Sequence, residues 1–212
     1  MKIIGALIGM VFFLSVGCRR PEVRLPILGE PVITQRLFNG KIVYDSVFPT
    51  IPDFSFWDQD STKVNNQSFS GKVYVADFIF LSCPSICPKM TVEMKRTYDF
   101  FLRDDRIRFI SHTVDPEHDS IPRLKAFTSS LHIDNNKWKF VTGNQDSILQ
   151  LAEKGYFSNA YKDSTAPGGY VHSGGLLLID KNRHIRGVYD GTNPKETYRL
   201  INDINILLKE PA

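Results

Sequence analysis

Apolar runs of strand length and stretches of helical periodicity take turns along most of the chain. "KVYVADFIF" (72–80) is a near-continuous apolar run, as in a strand buried on both faces. In 88–103 Met90, Met94, Thr97 and Phe101 recur at helical spacing along one face. The same patterns predict strands at 106–114, 137–143, 174–180 and 184–190, and helices at 120–131, 145–154 and 194–209. Such alternation predicts an α/β domain whose central sheet carries helices on both faces. Ahead of it, "VITQRLFNGKIVYDSV" sets Asn39-Gly40 between two β-rich runs, and both residues tolerate positive φ, so a β-hairpin is predicted over 32–47 as an N-terminal extension.

The first residues have a different pattern. Lys2 is followed by an uncharged apolar run from Ile3 to Val16, then Gly17-Cys18, then Arg19-Arg20. This is the layout of an export signal, and the run is shorter than the ~20 residues a membrane-spanning helix needs. A small residue before cysteine resembles the lipobox of bacterial lipoproteins, although in "LSVGC" the leucine stands one place early and Ser15 takes its position. The expectation is a signal peptide at 1–17, lipid on Cys18, a tether over 18–31 containing Pro21, Pro26 and Pro31, and one domain over 32–212. The protein would then be an exported bacterial membrane lipoprotein facing the periplasm; an uncleaved signal anchor is the alternative.

Composition narrows the function. A chain of 212 residues can bury its own core without disulfide staples. Its formal charge of +3 is mild and its basic residues are interspersed with acidic ones, which argues against a nucleic-acid partner. Outside the cytoplasm disulfides persist. With Cys18 assigned to the anchor, Cys83 and Cys87 are the domain's thiols.

Both lie in "FIFLSCPSICPKM", between the strand at 72–80 and the next helix, where open α/β sheets gather functional residues. A residue before proline avoids the α region, so both cysteines are expected to be extended, with Cys87 capping a helix that starts at Pro88. One turn of separation puts the Cβ atoms roughly 5–6 Å apart, compatible with a disulfide and with two thiolates on one metal. A helix start favours thiolate, the form required for either role. Redox pair, metal clamp and inert pair therefore all remain open on spacing alone.

Taken together, several ordered segments resemble the SCO/SenC family of thioredoxin-fold copper proteins, which help assemble the dinuclear copper centre of cytochrome c oxidase. These are "PDFSFWDQDS", the C-P-x-x-C-P site, "HTVDPEHDSIPRLKAF", "WKFVTG" and "YVHSGGLLLIDKNRHIRGVYDG". Leu81-Ser82 departs from the family's usual threonine before the site. The resemblance implies a thioredoxin-like fold with a central mixed sheet, and copper, Cu(I) or Cu(II), held by Cys83, Cys87 and His172. Two sulfurs suit Cu(I) and imidazole suits Cu(II). His172 lies in the Gly-rich stretch "APGGYVHSGG", where a solvated loop histidine is the alternative. Asp115 is expected to act from behind the ligands, orienting His172 or biasing the cysteines; a turn-forming role is the alternative. His112 and His118, with Glu117, offer a rival cluster that packing and solvation also explain, and His132 and His184 read as surface residues.

The function so implied is a copper metallochaperone that delivers one ion to the copper-bearing oxidase subunit, with other periplasmic copper chaperones or thiol reductants as further partners. The alternative is a thiol-disulfide oxidoreductase that keeps the cysteines of the oxidase copper site reduced. A thiol peroxidase fits the fold but lacks a recognisable peroxidase pocket motif.

Overall fold

The structure, a computed structural model, describes residues 23–210; the expected signal peptide and Cys18 lie outside them. The hairpin forms as expected: β1 (Val32–Phe38) and β2 (Lys41–Val47) pair antiparallel around Asn39 (φ 51°) and Gly40 (φ 73°). It makes a two-stranded sheet of its own, separate from the main sheet.

Next come β3 (Ser55–Asp58) and β4 (Lys63–Asn65), then β5 (Val73–Ile79), α1 (Cys87–Phe100), β6 (Ile107–Thr113), α2 (Ile121–Leu131) and β7 (Trp138–Thr142). The chain continues through α3 (Gln145–Gln150), which widens into a π turn over Leu151–Gly155, then β8 (Ala160–Lys162) and β9 (Tyr170–His172). It closes with β10 (Gly175–Ile179), β11 (Ile185–Asp190) and α4 (Pro194–Leu207). Seven strands form one mixed sheet in the order β11-β10-β5-β6-β7-β3-β4, with β5, β6 and β7 parallel and the remaining pairs antiparallel. This is the thioredoxin-like α/β arrangement. β8 and β9 pair only with each other.

β5 is central and buried along its whole length, which explains its unbroken apolar run. On one face, Tyr98 of α1 and Phe127 of α2 pack on Trp138, Phe140 and Phe109. On the other, Phe78 and His112 meet Phe54, Phe56 and Tyr156. The helical face read from the sequence is a core face: Met90, Met94 and Thr97 have no exposure and Phe101 has 4%.

Part of the expected tether, residues 25–28, is docked on the domain. Arg186 donates to the carbonyls of Leu25 and Pro26 and pairs with Glu210 at 2.7 Å and Asp180 at 3.0 Å. Leu28 N–H donates to Ile185 O at 2.8 Å, and Leu25 and Leu28 pack against the core. Residues 25–28 thus belong to the domain, because their backbone groups and apolar side chains find partners there. No helix among the described residues is long and apolar enough to cross a membrane.

Candidate metal centre

The turn after β5 is fixed from beneath. Asp119, fully buried, accepts hydrogen bonds from Thr113 Oγ1 at 2.6 Å and Leu81 N–H at 3.0 Å. Arg123, which lies 3.7 Å from Asp119, donates to Ser82 Oγ at 2.9 Å. The unusual Leu81-Ser82 pair is therefore held at both residues. Cys83 follows this support, and residues 84–86 bend into α1. The helix begins one residue earlier than expected: Cys87 is its first residue and Pro88 its second, while Ile86 is the cap at φ −90°, ψ −34°. Pro88 lacks an N–H that the first turn leaves unpaired in any case, so it interrupts no helical hydrogen bond, and Cys87, expected to be extended, is instead the first helical residue.

His172 comes from the opposite side. It is the last residue of β9, 7% exposed, rather than a solvated loop residue. Its Nε2 lies 3.0 Å from Cys87 Sγ and 3.9 Å from Cys83 Sγ. Its ring stands nearly perpendicular to that of Phe80, with centroids 5.6 Å apart. Nδ1 lies 3.3 Å from the Ser173 carbonyl oxygen, which can only accept, so Nδ1 carries a proton and Nε2 faces the sulfurs. In the neutral ring Nε2 presents a lone pair; in the imidazolium it donates to thiolate.

Among the described residues, Cys83, Cys87 and His172 form the one cluster of metal-type donors, with donor atoms all within 4.8 Å of one another. Both cysteines are free thiols. Their ionisation differs. Burial pushes the Cys83 thiol up, but His172, which donates through Nε2 as the imidazolium, and the backbone N–H groups of Cys87 and Ser85 outweigh it and bring the pKa down to about 6. Burial dominates at Cys87 and raises its pKa above the ordinary thiol range. At neutral pH the pair is thus a thiolate beside a thiol. Iodoacetamide alkylation of the reduced protein is expected to modify Cys83 first, with a rate that rises through about pH 6 and levels off near neutrality. A midpoint in the ordinary thiol range would contradict this electrostatic arrangement.

The other expected residues divide. Asp115, 3% exposed, accepts from His118 Nδ1 at 2.9 Å and from the Tyr170 hydroxyl at 3.2 Å. Its hydrogen bonds do not reach His172, so direct orientation of that ring by Asp115 is not what the geometry provides. His112 sits in the aromatic box with no hydrogen-bond partner on either nitrogen, and burial lowers its pKa to about 3. His112, His118 and Glu117 are not brought together as a donor cluster. His132 is exposed at the end of α2. His184 is half-buried with Nδ1 3.4 Å from Asp180, which corrects its surface reading. Sequence reasoning missed Tyr170 and Phe80. The signal for Tyr170 was its place two residues before His172, on one face of a strand too short to be recognised.

A dithiol at the start of a helix, with an imidazole over it on a thioredoxin-like sheet, defines a soft-metal site that is also capable of thiol chemistry. Comparison with known proteins agrees. The SCO1/SenC family model matches residues 44–209, and the chain belongs to that family. The SCO1 protein homolog of Bacillus subtilis is 29% identical over 167 residues, covering 78% of this chain and 86% of that protein. The solved structure of BsSco, described as having a disulfide switch and as a member of the Sco family of cytochrome c oxidase assembly proteins, is 28% identical with a TM-score of 0.67, over 77% of this chain and 95% of that one. Arabidopsis thaliana ScoI with copper bound shares the fold at 21% identity and a TM-score of 0.61, over 73% of this chain and 97% of that one.

Proposed function

We propose that the protein binds one copper ion through Cys83, Cys87 and His172 and delivers it to the copper-bearing subunit of cytochrome c oxidase. The observation that carries this reading is the donor set: two sulfurs and one imidazole nitrogen, mostly buried, within 4.8 Å of one another, with no carboxylate among them. Soft thiolates select Cu(I), and imidazole extends the site to Cu(II). Three donors leave room for an incoming sulfur from a partner, which ligand exchange requires. Membership of the SCO1/SenC family supports the oxidase as destination, as does the description of BsSco as belonging to a family of oxidase assembly proteins. Copper here is cargo.

The test is X-ray absorption of the copper-loaded protein. The expected result is about two sulfur neighbours and one nitrogen neighbour per copper, at distances close to the ~2.3 Å and ~2.0 Å that zinc makes with the same ligand atoms. A copper site with only nitrogen and oxygen neighbours would remove the cysteines and overturn the reading.

One observation favours a second reading, thiol-disulfide exchange. The thiolate of Cys83 beside the protonated Cys87 is the pairing in which one sulfur attacks a disulfide and the other resolves the mixed intermediate. Under this reading the protein reduces the cysteines of the oxidase copper site.

Attachment to a membrane through lipid on Cys18, with the domain in the periplasm, belongs to the same proposal. Its support is the apolar run from Ile3 to Val16 ending at Gly17-Cys18. Intact-mass measurement of the membrane fraction is expected to give a chain that begins at lipid-modified Cys18. A membrane-bound chain retaining residues 1–17 would show an uncleaved anchor instead.

A further inference from the structure

His172 stands on an element that the central sheet does not hold, since β9 pairs only with β8. The backbone after it is held, by Ser173 N–H on Asn159 O at 2.7 Å and by β10 from Gly175 onward, but the strand before it needs a further tie to the main body. We propose that Tyr170 is the positioning residue for His172, through its hydrogen bonds to Asp115 and Gln145 and its packing on Phe80.

Tyr170 and His172 are two apart on one strand and so point to the same face; each is 7% exposed. Phe80 serves both rings, with centroids 5.5 Å from Tyr170 and 5.6 Å from His172. Ring packing alone permits sliding, but the Tyr170 hydroxyl adds direction. It donates to Asp115 Oδ1 at 3.2 Å and accepts from Gln145 Nε2 at 2.7 Å. Both partners are fixed to the main body. Asp115 follows β6, with its N–H bonded to Thr113 Oγ1 at 3.1 Å, and Gln145 opens α3 while also donating to Val114 O at 3.1 Å. The hydroxyl therefore ties β9 to the ends of β6 and α3. Gly168 completes the seat: a Cβ there would come within 2.6 Å of Phe80, so glycine lets the loop before β9 lie against that ring.

Asp115 thus acts on the imidazole at one remove. Without the hydroxyl the Tyr170 ring keeps its place on Phe80, but Asp115 loses a donor and Gln145 an acceptor. Ordering His172 would then be drawn from the binding free energy. Because imidazole matters most for Cu(II), the effect should separate the two oxidation states.

The inference deepens the copper reading and rests on it for one of two measurements. In the purified full chain in detergent, Tyr170→Phe is expected to weaken Cu(II) binding by about tenfold or more, equivalent to ~1.4 kcal/mol. Cu(I), held by two sulfurs, should change by less than about threefold. Gln145→Met should shift Cu(II) the same way by a smaller factor. In the metal-free chain, the through-space proton contacts between the His172 and Phe80 rings should weaken in Tyr170→Phe. Equal loss of Cu(I) and Cu(II), or unchanged ring contacts in Tyr170→Phe, would overturn the positioning role. If the wild-type chain bound no copper, the functional reading would fail, while the metal-free ring contacts would still decide the role of Tyr170.

Discussion

Replacing either Cys83 or Cys87 by serine is expected to weaken Cu(I) binding more than about a thousandfold, or ~4 kcal/mol. A serine hydroxyl is hard and keeps its proton at neutral pH, so each variant leaves one sulfur and one imidazole for a metal that selects soft donors. The two substitutions should differ in their protons. Cys83 is already ionised near neutrality, because the hydrogen bonds around it bring its pKa down to about 6. Cys87 keeps its proton, since burial raises its pKa, and must release it to become a ligand. Copper uptake by the wild type at pH 7 should therefore release close to one proton per metal, and Cys87→Ser should remove that release. Competition against a chromophoric Cu(I) chelator gives the affinity, and titration in weak buffer gives the proton count. Both side chains are mostly buried, but serine is nearly isosteric, so circular dichroism should remain that of the folded protein. Tight Cu(I) binding by either variant would exclude that cysteine as a ligand.

The elements that sequence patterns made visible are those with many repeats of one period. β5 is buried on both faces and reads as a continuous apolar run; α1 carries Met90, Met94, Thr97 and Phe101 on one stripe. β3, β4, β8 and β9 have three or four residues each, too few for alternation to stand out. That is why His172 read as part of a Gly-rich loop although it ends a strand. The cysteine pair was legible because prolines and the strand-to-helix junction mark it locally, but its third donor comes from 85 residues beyond Cys87, a distance that only the fold closes. Asp115 was expected to act from behind the ligands, whereas its link toward His172, the Tyr170 hydroxyl, is a contact across 55 residues that the sequence does not display. The docked segment at 25–28 was missed for a related reason. Its proline spacing suggested a free tether, and the groups that hold it, Arg186 and Glu210, lie at the other end of the chain.

His172 is the residue that metal delivery and thiol exchange do not share. Disulfide reduction needs an attacking thiolate and a resolving thiol, and Cys83 and Cys87 supply both. Holding copper until a partner takes it needs the third ligand, whose Nε2 lies 3.0 Å from one sulfur and 3.9 Å from the other. Removing His172 takes away one of the groups that favour the Cys83 thiolate, but the backbone N–H groups of Cys87 and Ser85 still favour it. The deciding measurement is copper loading of cytochrome c oxidase in a His172→Ala strain at limiting copper, set beside disulfide reduction by the purified variant. Metal delivery predicts at least about a tenfold loss of loaded oxidase, with reduction of a model disulfide within about threefold of wild type. Normal oxidase loading in His172→Ala, together with failure in Cys83→Ser, would contradict copper delivery and assign the dithiol to reduction.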